Sequence, residues 1–214
     1  MSALMPLERP VRAPRAARIE KLQLILQAAE TQFARYGFEG VSLETIASEL
    51  GLSRQNLLYY YPSKEALYDA VLDDVLASWL AGMSRIGQAT DPEQAIRDYV
   101  AAKLRFSQER PSGSAVFTRE VMAGAPRYAE RLRAQVLPVL RADVQAFERW
   151  ADHGLIRRLD FTHLMFLLWA STQAYADLAP QFALLLGKPA LESQDYKAAQ
   201  ALITEMLLTA LKPI

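Results

Sequence analysis

Apolar residues recur every three or four positions along most of this chain, the period of helices with one buried face. The first run is Ile19, Leu22, Ile25, Leu26, Ala29 and Phe33, ended by Gly37 with Phe38 as a plug behind it. Ser42 caps a short second helix with Ile46, Ala47 and Leu50 inward, and Gly51 stops it. Ser53 caps a third, Arg54 to Tyr60, whose inward contacts are Leu57 and either Leu58 or Tyr61; Pro62 terminates it. Ser63 then caps a longer helix carrying Leu67, Val71, Val75 and Trp79. Beyond a loop-like stretch at 82–92, the pattern predicts helices at 93–109, 114–123, 126–152, 161–186 and 193–211, with Pro138 kinking or splitting the third. No useful strand alternation and no repeat interrupts this. The expected fold is all-α, a three-helix N-terminal unit followed by a larger helical domain.

The segment Ser42 to Lys64 reads SLETIASELGLSRQNLLYYYPSK. Two short capped helices joined by Leu50-Gly51-Leu52-Ser53 have the spacing of a helix-turn-helix, which offers the start of its second helix to the major groove. Arg54, Gln55 and Asn56 stand there, and all three suit base edges. Tyr59, Tyr60 and Lys64 follow, with hydroxyls and an ammonium suited to phosphates; Thr45 is a weaker phosphate candidate. The same periodicity requires at least one tyrosine of Tyr59–Tyr61 to be core.

Charge changes this picture little in total and more in its distribution. Lys and Arg balance Asp and Glu at 24 each, ordinary for a globular chain. Arg9, Arg12, Arg15, Arg18 and Lys21 nevertheless cluster before and at the first helix, where Pro6, Pro10 and Pro14 predict a flexible basic arm over 1–17. The helix-turn-helix unit is expected at 18–62 and a ligand-binding and dimerisation domain at 63–214. Cysteine is absent, which excludes disulfides and thiolate chemistry. The two histidines, His153 and His163, fit no catalytic or metal-ligating pattern, and no phosphate-cradling glycine loop occurs. An enzyme is not expected. The first residues lack a secretory h-region and the longest greasy stretch, Leu164 to Trp169, is far too short for a membrane span. A cytoplasmic protein with no membrane partner is the expectation.

The stretches FARYGFEGVSLETIA and ELGLSRQNLLYYYPSKEALY resemble the TetR family of one-component regulators. Leu58, Tyr60 and Tyr61 stand where that family usually has Tyr, His and Phe, so Tyr60 occupies the place of a phosphate-facing histidine. The resemblance implies a homodimer on palindromic double-stranded operator DNA, most often a repressor released by a small effector. Dimerisation also follows physically, since one recognition helix reads few bases and a two-fold partner doubles the contacts.

The remaining two-thirds hold most of the apolar mass. The predicted helices at 161–186 and 193–211 show wide apolar faces that suit either a two-fold four-helix interface or the monomer core. Trp79, Phe117, Trp169, Gln173 and Tyr175 are candidate ligand contacts, the tryptophans as stacking walls and Gln173 as donor and acceptor. Tryptophans on apolar faces are also what a plain core would show. FTREVMAGAP and LWASTQAYAD resemble the pyrimidine-utilisation branch of the same family. There, residues at the places of Trp79, Trp169 and Gln173 belong to a uracil- or thymine-binding pocket, which implies such an effector here. Phe106, Phe117, Met122, Met165 and Phe166 keep open a multidrug- or lipid-sensing regulator. A helical interaction protein that binds no DNA is the reading from another class.

Overall fold

A computed structural model describes residues 15–83 and 86–213, and every regular element among them is helical. In chain order the helices are α1 (Arg15–Tyr36), α2 (Leu43–Glu49), α3 (Arg54–Tyr60), α4 (Lys64–Met83), α5 (Pro92–Glu109), α6 (Pro111–Met122), α7 (Ala129–Arg131), α8 (Leu137–Asp152), α9 (Phe161–Asp177), α10 (Ala179–Leu185) and α11 (Ser193–Leu211). The all-α expectation holds. The expected basic arm lies largely outside the described residues. Its last part, from Arg15, belongs to α1.

Four other boundaries differ from the reading of the sequence. α4 runs to Met83, and Ile86–Gln88 adds a 3₁₀ turn with Ile86 buried, so 82–92 is not simply a loop. α5 and α6 begin at Pro92 and Pro111, because proline at a helix start loses no hydrogen bond. The segment 126–152, by contrast, is split as Pro138 predicts: a π turn at Leu132–Val136 precedes α8, whose second residue, Pro138, has no N–H to give that turn. The segment 161–186 breaks at Leu178 for the same reason, with Pro180 opening α10.

One continuous core joins the N-terminal unit to the rest. Ile25, Ala29 and Phe33 of α1 pack with Ile46, Ala47 and Leu57, and with Leu67, Val71 and Val75 along α4. Phe33, Phe38 and Tyr68 cluster, the Tyr68 ring 4.9 Å from each of the other two, edge to face with Phe33 and tilted on Phe38. Cross-links then tie α4 to the sensor half: the Tyr128 hydroxyl donates to the Leu72 carbonyl at 2.8 Å, and the Tyr68 hydroxyl to Glu120 at 3.3 Å. At the α5–α6 corner, Arg110 donates through Nε to buried Glu30 of α1 at 2.9 Å, and also to Asp74 and Ser78 of α4.

Asp143 on α8 is buried. Its Oδ1 accepts the Gly87 N–H at 3.0 Å, while its Oδ2 has no partner among the described residues. Burial pushes its carboxyl up to about 7, against the opposing hydrogen bond from Gly87. A carboxyl that binds its proton more tightly when folded stabilises the fold below its unfolded pKa, about 4, and loses that contribution as pH rises through 7. Asp143→Asn is therefore expected to be more stable than wild type at pH 8, with the gap closing toward pH 4, as read from urea midpoints across that range.

Candidate functional site

The reading head is built from local capping. Ser42 Oγ accepts the Thr45 N–H at 3.1 Å and opens α2; Ser53 Oγ accepts the Asn56 N–H at 3.2 Å and opens α3. Between them the chain makes a Schellman turn. The Leu52 N–H reaches the Ala47 carbonyl at 2.8 Å and the Gly51 N–H the Ser48 carbonyl at 3.1 Å. That turn needs Gly51 at φ +63°. Leu57 is fully buried beneath α3, so Arg54, Gln55, Asn56 and Tyr59 point outward and are exposed.

Each remaining DNA candidate has a definite place. Arg54 Nε pairs with Glu44 of α2 at 2.6 Å, an exposed ion pair worth little and easily exchanged. Thr45 is exposed, its hydroxyl 3.0 Å from Ser42 Oγ. Tyr59 is open, with the Arg18 guanidinium 5.6 Å from its ring centre. Tyr60 is half-buried against the core, and so is Tyr61, whose hydroxyl burial pushes up, with Asp74 adding to the effect. Lys64 is the surprise. Its ammonium donates to the carbonyls of Phe38 at 2.9 Å and Val41 at 3.1 Å and lies over the Phe38 ring, tying the α1–α2 loop to the start of α4.

The second site is a cavity of about 460 Å³, within the usual size of small-molecule pockets. Trp79, Phe117, Trp169 and Gln173, far apart in sequence, all line it, with Thr118 and apolar residues such as Val121, Met122 and Leu140. The Trp79 and Trp169 rings meet edge to face at 5.2 Å, and Phe117 lies 5.8 Å from Trp79. Trp169 Nε1 donates to the buried Tyr99 hydroxyl at 2.7 Å, which fixes the indole.

Tyr175 does not join this cavity. It lies two residues from Gln173, about 200° around the helix, and its ring packs on Phe182 of α10 and Tyr196 of α11. Trp169, Gln173 and Asp177 are four apart and share the other face.

Asp177 is the polar centre the sequence reading passed over. Ser114 and Thr118 donate to its carboxylate at 2.7 Å each, and Gln173 Nε2 donates to it at 3.1 Å and to Thr118 at 2.7 Å. Because a carboxylate only accepts, the Gln173 amide orientation is settled: its nitrogen faces Asp177 and its oxygen is turned away. A small recess shares Trp79, Phe117 and Gln173 with the cavity and adds Lys103, Ser107 and Ser114. Lys103 is buried on α5 with its ammonium 4.1 Å from the Trp79 ring centre, and burial drives it well below the ordinary lysine range. The signal for it was present: Ile96, Tyr99, Val100, Lys103 and Ser107 form a single helical stripe, in which a lysine is out of place.

Comparison with known proteins identifies the family. Residues 25–71 match the profile of bacterial regulatory proteins of the tetR family, and residues 72–214 that of the C-terminal region of YcdC-like proteins. The chain belongs to the TetR family. The HTH-type transcriptional regulator RutR of Escherichia coli K12 is 36% identical over 193 residues, 90% of this chain and 91% of that protein. The fold is shared with the ketosteroid transcriptional regulator KstR2 of Mycobacterium tuberculosis (TM-score 0.74, 15% identity, 91% of this chain and 96% of that one). It is also shared with a TetR-like transcriptional regulator from Rhodococcus sp. RHA1 (TM-score 0.66, 23% identity, 90% and 94%). This TetR-family protein is accordingly a DNA-binding, ligand-responsive regulator of transcription. Among the described residues no helix is long and apolar enough to cross a membrane, and no group of His, Cys, Asp or Glu is arranged to hold a metal ion.

Lys64→Met strands two backbone carbonyls and is expected to lower stability by about 1–2 kcal/mol in urea unfolding. The salt dependence of DNA binding separates this role from a phosphate contact: a slope reduced by about one would add the latter.

Proposed function

We propose that this TetR-family regulator is a homodimeric repressor that holds a palindromic operator and releases it when a uracil-like ring enters the cavity. The observation that carries the effector assignment is the convergence of Trp79, Trp169 and Gln173 on one chamber, in a chain 36% identical to RutR. A flat ring with alternating N–H and C=O groups suits indole walls and the Gln173 oxygen. The DNA-reading role falls to Arg54, Gln55 and Asn56, with Tyr59, Tyr60 and Thr45 as phosphate contacts, in an N-terminal unit over 18–62 that a sensor domain over 63–214 supports. Dimerisation is supported by the outer faces of α9 and α11, where Phe166, Leu167, Leu202 and Met206 are exposed on the single chain. A bulkier, apolar effector is the second reading, favoured by the Val121, Met122, Leu132 and Leu140 lining.

Titrating uracil, thymine and larger apolar compounds against protein bound to its own upstream DNA tests the effector. Release by uracil or thymine at micromolar to millimolar concentration is expected; release by apolar compounds alone would replace the pyrimidine reading by the second. Gln173→Ala is expected to raise the uracil concentration needed for release at least tenfold, and an unchanged release curve would sink the assignment. Arg54→Ala is expected to cost about 1–3 kcal/mol on operator and little on random DNA. Equal losses on both would make Arg54 a phosphate contact.

A further inference from the structure

We propose that Lys103 selects the effector by an exocyclic oxygen: its ammonium donates to a ring carbonyl or carboxylate while Gln173 Oε1 accepts an N–H of the same ligand where one is present. This rests on the cavity being the effector site and adds the group that reads the ligand's acceptor edge.

Three observations meet here. Lys103 is 3% exposed, and its ammonium has no hydrogen-bond acceptor among the described residues; its contact is the face of Trp79. A buried cation left in that state is costly, and a methionine of similar length would fill an ordinary core without that cost. The recess that contains it measures about 10 Å³, room for one water-sized group. It shares Trp79, Phe117 and Gln173 with the main cavity, so a ring seated between those walls has one atom's worth of space beside a cation. That is the size and polarity of a single oxygen.

The charges around the recess point the same way. Asp177, the acid of this cluster, is occupied by Ser114, Thr118 and Gln173, and no ion pair joins it to Lys103. The Gln173 nitrogen is committed to Asp177 and Thr118, leaving an acceptor, while Lys103 supplies only donors. Donor and acceptor together match the C=O/N–H edge of a lactam or imide. A ring edge that bears only amino groups offers Lys103 nothing to donate to.

The test uses the full chain and three pairs of rings that differ by oxygen: pyrimidine and uracil, purine and hypoxanthine, pyridine and nicotinate. Calorimetric titration is expected to show at least one oxygen-bearing member bound tenfold or more tighter than its parent ring. Lys103→Met is expected to erase that preference, with folding checked by circular dichroism. Lys103→Gln, which removes the charge but keeps a donor, is the second variant and is expected to lose at least threefold while retaining part of the preference. Wild-type affinity for the oxygen-bearing ring in both variants, or no oxygen-bearing ring bound by wild type, would overturn the proposal. Lys103-dependent binding of nicotinate or hypoxanthine without uracil would defeat the pyrimidine reading alone. Uracil binding untouched by either substitution would defeat only the role of Lys103.

Discussion

The relation between the two halves of the molecule depends on a carboxylate that cannot stay where it is without Arg110. Glu30 sits on α1, 5% exposed, and a buried charge there is tolerable only if paired and hydrogen-bonded. Arg110 provides the pairing from the α5–α6 corner, Ser112 donates to the second Glu30 oxygen, and the same guanidinium reaches Asp74 and Ser78 on α4. One planar fork therefore fixes three elements at once. The approach is close enough that a Cβ on Gly113 would stand 3.0 Å from Arg110 and 3.1 Å from Val75, which is why α6 carries glycine in its first turn.

α4 is what makes this junction matter. Its 20 residues span about 30 Å. Near its start, Leu67 and Tyr68 belong to the core under the reading head; near its end, Val75 and Trp79 face the recess. Hydrogen bonds from Tyr128 to Leu72 and the ion pair of Arg131 with Asp73 add anchors between these ends. The core under the reading head and the wall of the recess are thus joined by one continuous rod, held on one side by Arg110 and on the other by the α6–α7 segment.

Much of this was legible in the sequence, and the reason is local. Capping serines, Gly51 and a terminating Pro62 act within a few residues of themselves, so α2, α3 and their turn could be read directly, down to Arg54–Tyr60. Trp79, Phe117, Trp169 and Gln173 could be nominated by resemblance, and their convergence emerged only with the packing of α4, α6 and α9. Tyr175 is a candidate in the sequence alongside Gln173, and helical rotation turns its ring to α10 and α11 instead. Lys64 reads as a free cation because nothing in its neighbours shows that Phe38 and Val41 will bring their carbonyls to it. Asp177 and Lys103 escaped for the same reason: each is one charge in an apolar stripe, and its meaning lies in residues of other helices, such as Ser114 and Thr118 for Asp177 and Trp79 for Lys103.

The register of α4 adds a final constraint. Asp74 and Ser78, which hold Arg110, alternate with Val75 and Trp79, which line the recess, on adjoining faces of the same turns. A helix segment moves as a unit unless its backbone hydrogen bonds break. Any ligand that shifts the Trp79 indole by moving its backbone therefore shifts the acceptors of Arg110 as well. Arg110 cannot follow freely, because its other partner is buried Glu30 on α1, and leaving that carboxylate alone is expensive. The cost is avoided only if α1 moves too, and α1 packs on α2, which in turn packs on α3, the helix that carries Arg54, Gln55 and Asn56. The buried ion pair that holds the halves together thus joins the helix beside the recess to the first helix of the N-terminal unit.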